Sequence, residues 1–133
     1  IDEAILNKPG RLTAEEFESM KAHTTIGADM LRNLPRYQEE RILQIAIEIC
    51  RWHHERYDGK GYPDGLVGDE IPISAQLVSI ADVYDALTSE RVYKKAFSHE
   101  KAMQMIREGE CGAFNPLLLS CLEEIADELQ AEM

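Results

Sequence analysis

A chain of 133 residues with 44% hydrophobic content is long enough to bury one compact core and too short to suggest several. Its 14 Lys and Arg against 25 Asp and Glu leave a net charge of -11, which excludes nucleic-acid polymers as expected partners, because binding them rests on neutralising many phosphates with cations. No run of about 18 apolar residues and no basic-then-apolar leader occurs, so the sequence predicts a soluble, cytoplasmic, single-domain protein spanning 1–133, without membrane contact.

The charge does not exclude a small phosphate ligand, since bound divalent metals and a few cations reverse the local potential. Cys50, Cys111 and Cys121 form an odd set with no CxxC pair, so reduced thiols packed as small hydrophobes are expected.

Taken in chain order, the stretch Leu12 to Leu31 opens with Thr13 and Glu16 at capping-box spacing and predicts one helix carrying His23. From Arg36 to about His54, Ile42, Ile45, Ala46 and Ile49, widened by Leu43, Ile47 and Cys50, predict a second helix with a broad buried face. His53 follows Ile49 by four residues and His54 follows Cys50 by four, so both imidazoles continue that inward face. Between Glu55 and Ser74, four glycines and two prolines rule out a regular helix, and connections of this length inside small domains usually carry function. Ser74 to about Ser89 resumes a helical pattern, with Asp82 among apolar neighbours and Asp85 three residues on. Ser98 and Asn115-Pro116 read as starts of two further helices. The expectation is an all-α bundle of about five helices with a long Gly/Pro-rich loop, without strands or internal repeats.

Imidazoles and carboxylates together suit iron, manganese, zinc or nickel, and His53-His54 at the mouth of a glycine-rich loop offers two ligands at once. From residues alone two readings stay open: a metal centre formed with His23 and Asp82, or polar groups serving a helix end and a hydrogen-bonded carboxylate. Gly59-Lys60-Gly61 fails as a dinucleotide turn because a helix precedes it and the third glycine is absent, and Asp58 followed by Lys60 fails the calcium-loop pattern. Lys60, Tyr62, Arg91 and Lys94 are suited to an anionic ligand with aromatic surfaces, while a solvated helix end also accounts for Arg91 and Lys94.

The run His53-His54-Glu55-Arg56-Tyr57-Asp58-Gly59-Lys60-Gly61-Tyr62-Pro63-Asp64-Gly65-Leu66 resembles the signature of the HD-GYP family of bacterial cyclic di-GMP phosphodiesterases. Blocks in family order extend the likeness over nearly the whole chain: Asn7-Lys8-Pro9-Gly10, Met20-Lys21-Ala22-His23, Ile80 to Thr88, Arg91-Val92-Tyr93-Lys94 and Phe114-Asn115-Pro116. The resemblance implies that His23, His53, His54 and Asp82 are ligands of a two- or three-metal centre, most often iron or manganese. It also implies substrate contacts at Tyr62, Arg91 and Lys94. Gly61 and Pro63 complete the named motif and are expected to shape the loop, the glycine through unusual backbone angles and the proline by fixing one. For Asp85, a role orienting a metal ligand and a role in capping or ion pairing stand side by side.

The implied reaction is metal-assisted hydrolysis of cyclic di-GMP to pGpG, and onward to GMP. The family's His-Asp pair should lie just upstream of a segment such as Ile1 to Leu6, and neither His99 nor Asp2 matches it. The chain is therefore expected to be the C-terminal part of the domain, inactive alone; an excised piece and a natural shortening look the same in sequence. Family likeness further implies bacterial second-messenger signalling, with a GGDEF-domain protein or a receiver or sensory domain of a two-component parent as partner. The alternative is a non-catalytic receptor or interaction module that uses the GYP loop to bind cyclic di-GMP.

Overall fold

The computed structural model of the chain describes residues 1–90 and 94–132. Its first element, α1 (Glu3–Leu6), is a single turn started by Asp2, whose carboxylate accepts from the Ala4 N–H at 2.9 Å. The α2 helix (Ala14–Lys21) begins on the expected capping box: the Thr13 hydroxyl accepts from the Glu16 N–H, and the Glu16 carboxylate accepts from the Thr13 N–H. The helix expected to run on to Leu31 instead breaks at Ala22, and α3 occupies His23–Arg32. Back-bonding accounts for the break, because the Thr24 and Thr25 hydroxyls donate to the carbonyls of Lys21 and Ala22 and compete with the regular helical ladder.

The α4 helix (Arg41–Trp52) starts five residues later than the pattern suggested. Tyr37 holds a left-handed φ of 69° and Glu40 is extended, so 36–40 turns a corner while the Gln38 amide caps the carbonyls of Leu31 and Leu34. Leu43 and Ile47 of α4 are buried against Ala28 of α3, with Leu31 and Cys50 at the edge of this small core. A long loop follows, containing a 3-10 turn at Gly68–Glu70 and one isolated bridge between Asp58 and Val67; no strand forms among the described residues.

The remaining helices are α5 (Ile73–Thr88), α6 (His99–Arg107) capped by Ser98, α7 (Pro116–Glu124) capped by Asn115, and α8 (Ala126–Ala131). The described residues thus form eight α-helices where about five were expected. The surplus is α1, the break at Ala22 and a second break at Ile125. The chain is an all-α bundle in which α3 packs on α4, α4 on α5 and α5 on α6. None of these helices is long and apolar enough to cross a membrane.

The larger core joins Ile80 and Leu87 of α5 to Ala102, Met103 and Ile106 of α6 and to Phe114, Leu118 and Leu122. Ile106 is 1% exposed. Ile106→Ala is expected to cost about 3 kcal/mol through lost burial and a residual cavity. Thermal unfolding followed by circular dichroism should show the midpoint about 10 °C lower.

Candidate metal centre

The break at Ala22 sets His23 at the first position of α3, where its Nδ1 lies 2.7 Å from the Met20 carbonyl. His53 ends α4, and its Nδ1 lies 2.7 Å from the Ile49 carbonyl and 3.2 Å from that of Cys50. Carbonyls only accept, so both Nδ1 atoms carry the proton and both Nε2 atoms present bare lone pairs in the neutral rings. Those two Nε2 atoms stand 3.3 Å apart. His54 closes the group, and one ring nitrogen from each of the three histidines falls within 4.8 Å of the others.

Two bare lone pairs at this distance repel unless a shared proton or a metal ion lies between them, and backbone carbonyls that fix the far ring nitrogen are the usual support of histidine ligands. The residues present therefore fit a divalent metal ion of the kind imidazoles bind. Burial pushes the His54 pKa down from 6.5 to about 3, with the neighbouring His53, His23 and Arg56 acting in the same direction. The His54 ring is thus neutral and ready to bind metal throughout the physiological range.

The loop after α4 is folded back onto these rings. Its Tyr62 N–H donates to the His54 carbonyl at 3.2 Å, and the Tyr62 ring stacks on the His54 imidazole, centroids 4.9 Å apart and planes 16° apart. The other neighbours of that ring are Phe17, edge-on at 6.0 Å, and the Lys21 ammonium, 5.4 Å from the centroid. Gly61 is required for a reason other than the expected one. No positive φ occurs there, but a Cβ would run into the Arg56 nitrogen and the His54 carbonyl oxygen and lie 2.5 Å from the Glu55 Cα. The Tyr62-Pro63 peptide is cis.

Three residues that sequence reasoning passed over hold this loop. Glu55, 2% exposed, accepts the Asp64 N–H at 2.7 Å and the Leu66 N–H at 2.8 Å, one on each carboxylate oxygen. Asp64 in turn takes a bidentate pair from Arg51 and the Trp52 indole N–H, and the Arg51 and Trp52 hydrogen bonds hold its pKa below the ordinary value. Arg56 donates to Ser79, to the Cys111 carbonyl and to the Glu55 carbonyl, with its guanidinium 5.6 Å from the Phe114 ring centroid. The available signal was a carboxylate directly after two candidate ligands and within reach of a glycine-rich loop.

The other candidates fall elsewhere. Asp82, expected among apolar neighbours, is exposed, because the buried side of α5 is built from Ala75, Gln76, Ser79, Ile80 and Leu87. It stands outside the three-histidine group, although its charge adds to the burial that raises the Tyr62 pKa and opposes the burial that lowers the Arg56 pKa, and so reaches the wall of the site. Asp85 accepts from Ser89, one turn on, at 3.4 Å. The Lys94 ammonium caps α5 through the carbonyls of Ser89 at 3.0 Å and Leu87 at 3.5 Å. Arg91 lies outside the described residues. An open recess of about 280 Å³ borders the loop, lined by Glu18, Lys21, Ala22, Thr25, Tyr62 and Pro63.

Comparison with known proteins matches residues 2–116 to the HD domain family. The chain is 46% identical over 132 residues to a cyclic di-GMP phosphodiesterase of Vibrio cholerae, covering 98% of this chain and 27% of that protein. It is 42% identical over 122 residues to the cyclic di-GMP phosphodiesterase response regulator RpfG of Xanthomonas campestris, covering 92% and 31%. A 3'3'-cGAMP-specific phosphodiesterase of Vibrio cholerae is 40% identical over 131 residues, covering 98% and 24%. The chain spans about a quarter to a third of the length of these relatives.

Proposed function

Because the chain belongs to the HD domain family, whose members hold divalent metal, we propose that it forms the C-terminal part of an HD-GYP domain that hydrolyses cyclic di-GMP to pGpG, with GMP as a further product. The observation that carries this reading is the convergence of His23, His53 and His54 beneath a loop whose Tyr62 stacks on one of them. Phosphodiesterase names among the relatives favour hydrolysis over a non-catalytic receptor role.

In this reading His23, His53 and His54 would be ligands of a centre of two or three ions, iron or manganese, and Asp82, exposed on α5 and outside the histidine group in the metal-free chain, would serve as a further ligand. Metal bound there supplies acidified water near neutral pH and neutralises charge on the phosphoryl oxygens. The protein's own part is positional. The carbonyls of Met20 and Ile49 fix the imidazoles, and the loop places Tyr62 beside them. Tyr62 has His54 on one face and the Lys21 ammonium near its ring, so it meets substrate through its edge and hydroxyl rather than by stacking a base. Burial raises the pKa of that hydroxyl and keeps it a hydrogen-bond donor, with Asp82 adding to the effect and Arg56 opposing it. Arg91 and Lys94 are assigned to the phosphates; Lys94 reaches one by exchanging the Ser89 carbonyl for a phosphoryl oxygen. Asp85 orients a ligand only by leaving Ser89. A cytoplasmic setting and a receiver, sensory or GGDEF-domain partner belong to the same reading.

A second substrate, 3'3'-cGAMP, is favoured by the relatives specific for it. The test is anaerobic hydrolysis of both dinucleotides, with iron or manganese supplied, by this chain and by the full gene product that contains it. The full protein is expected to release pGpG from cyclic di-GMP, and His53→Ala and Asp82→Ala are each expected to abolish release. Binding of the dinucleotide without hydrolysis by the metal-loaded full protein would replace the enzyme by a receptor, and faster cleavage of 3'3'-cGAMP would reassign the substrate.

A further inference from the structure

Glu55 is a carboxylate that no step above uses, yet it is among the most completely enclosed charged side chains of the site. It follows His54 directly, is 2% exposed and pairs with no Lys or Arg within ion-pair distance among the described residues. Both oxygens are spent on the loop: Oε2 on the Asp64 N–H and Oε1 on the Leu66 N–H. Backbone N–H groups at loop positions ordinarily turn to water. Two of them aimed inward at one buried carboxylate define a single loop conformation, since releasing either leaves a buried acceptor without its donor.

The residues between His54 and Leu66 close a short circuit through this carboxylate. Tyr62 N–H returns to the His54 carbonyl, Asp64 N–H and Leu66 N–H return to Glu55, and the Asp64 carboxylate returns to Arg51 and Trp52 at the end of α4. All of these ties lead back to α4 and the three residues after it, the segment that carries two of the three histidines. Tyr62 is thereby referenced to His54 from both sides along the chain.

We propose that Glu55 is the positioning residue of the GYP loop, holding Tyr62 in register with the three-histidine centre without itself touching metal or substrate. Its consequence for turnover rests on the phosphodiesterase reading; its role in the loop does not. Nothing is asked of Glu55 except acceptance at both oxygens, and this sets it apart from a residue that merely fills space.

The isosteric Glu55→Gln separates the two roles, because one acceptor becomes an NH2 donor facing a backbone donor. Amide hydrogen exchange measured by NMR on this chain should show Asp64 and Leu66 protected in the unaltered protein. In Glu55→Gln at least one of the two should exchange about tenfold faster or more. Manganese affinity of the chain is expected to stay within about threefold, because the imidazoles and their carbonyl partners are untouched. In the full protein kcat/KM for the dinucleotide should fall about 30-fold, the scale of a sub-ångström displacement at a reacting centre. Unprotected Asp64 and Leu66 amides in the unaltered chain would overturn the proposal even if Glu55→Gln failed to fold. Metal affinity lost in parallel with activity would overturn it too, by making Glu55 part of the metal centre. An inert full protein whose loop amides still respond to Glu55→Gln would sink the phosphodiesterase reading and leave the positioning role standing.

Discussion

Gly61→Ala is expected to lower kcat/KM of the full protein on its dinucleotide by about 100-fold while metal affinity stays within a few-fold. The added methyl meets the Arg56 nitrogen, the His54 carbonyl oxygen and the Glu55 Cα, all backbone atoms at the junction of α4 and the loop. A flexible side chain could swing away; main chain fixed by a helix end cannot, so the loop must lift. Lifting it breaks the Tyr62 N–H bond to the His54 carbonyl and separates the stacked rings. His23 and His53 keep their own carbonyl partners, so their nitrogens should still converge. Manganese titration beside steady-state kinetics distinguishes the outcomes. A variant that retains full activity would show that the loop's distance from His54 is immaterial to turnover.

The second large effect is expected from His54→Ala. Removing one of three converging nitrogens should weaken divalent-metal binding at least about 100-fold and abolish hydrolysis, with dissociation measured against a chelating indicator. The same variant carries a pH signature. In the metal-free chain the His54 pKa is about 3, against 6.5 for an unperturbed histidine, so the unfolded state takes up the proton first as pH falls. The contribution to stability is complete above 6.5 and drains away between 6.5 and 3. Urea midpoints of the metal-free chain should therefore fall on acidification across that window, and those of His54→Ala should fall less. Equal slopes would show that the ring titrates normally.

Much of the site could be read from sequence because its strongest signals are local. His53 and His54 extend the inward face of α4 by helical spacing, and the glycine-rich run after them can only be a loop. The HD-GYP likeness read from those residues is borne out by the HD domain match and by the named relatives. Element boundaries were less legible, for reasons that lie in single residues. Thr24 and Thr25 back-bond and split one expected helix, and Tyr37 adopts a left-handed φ that periodicity does not encode.

Asp82 shows a further limit. A run such as Ile80-Ala81-Asp82-Val83 reads as apolar along the chain, yet the helix turns the carboxylate outward and buries Ile80. Gly61 was recognised as special but for backbone angles, when the constraint is how closely two segments approach. Glu55 offered only its place directly after two candidate ligands, because its partners are main-chain N–H groups nine and eleven residues away. Backbone partners leave no side-chain pattern for a reader of sequence to find.

Trp52 is the sole tryptophan of the chain, and its indole N–H is bonded at 2.6 Å to the Asp64 carboxylate across the mouth of the loop. A nearby carboxylate shifts and quenches indole emission, so the molecule carries its own optical reporter of whether the loop is seated. Rapid-mixing fluorescence could then time the loop's movement against metal entry and dinucleotide arrival with no label attached.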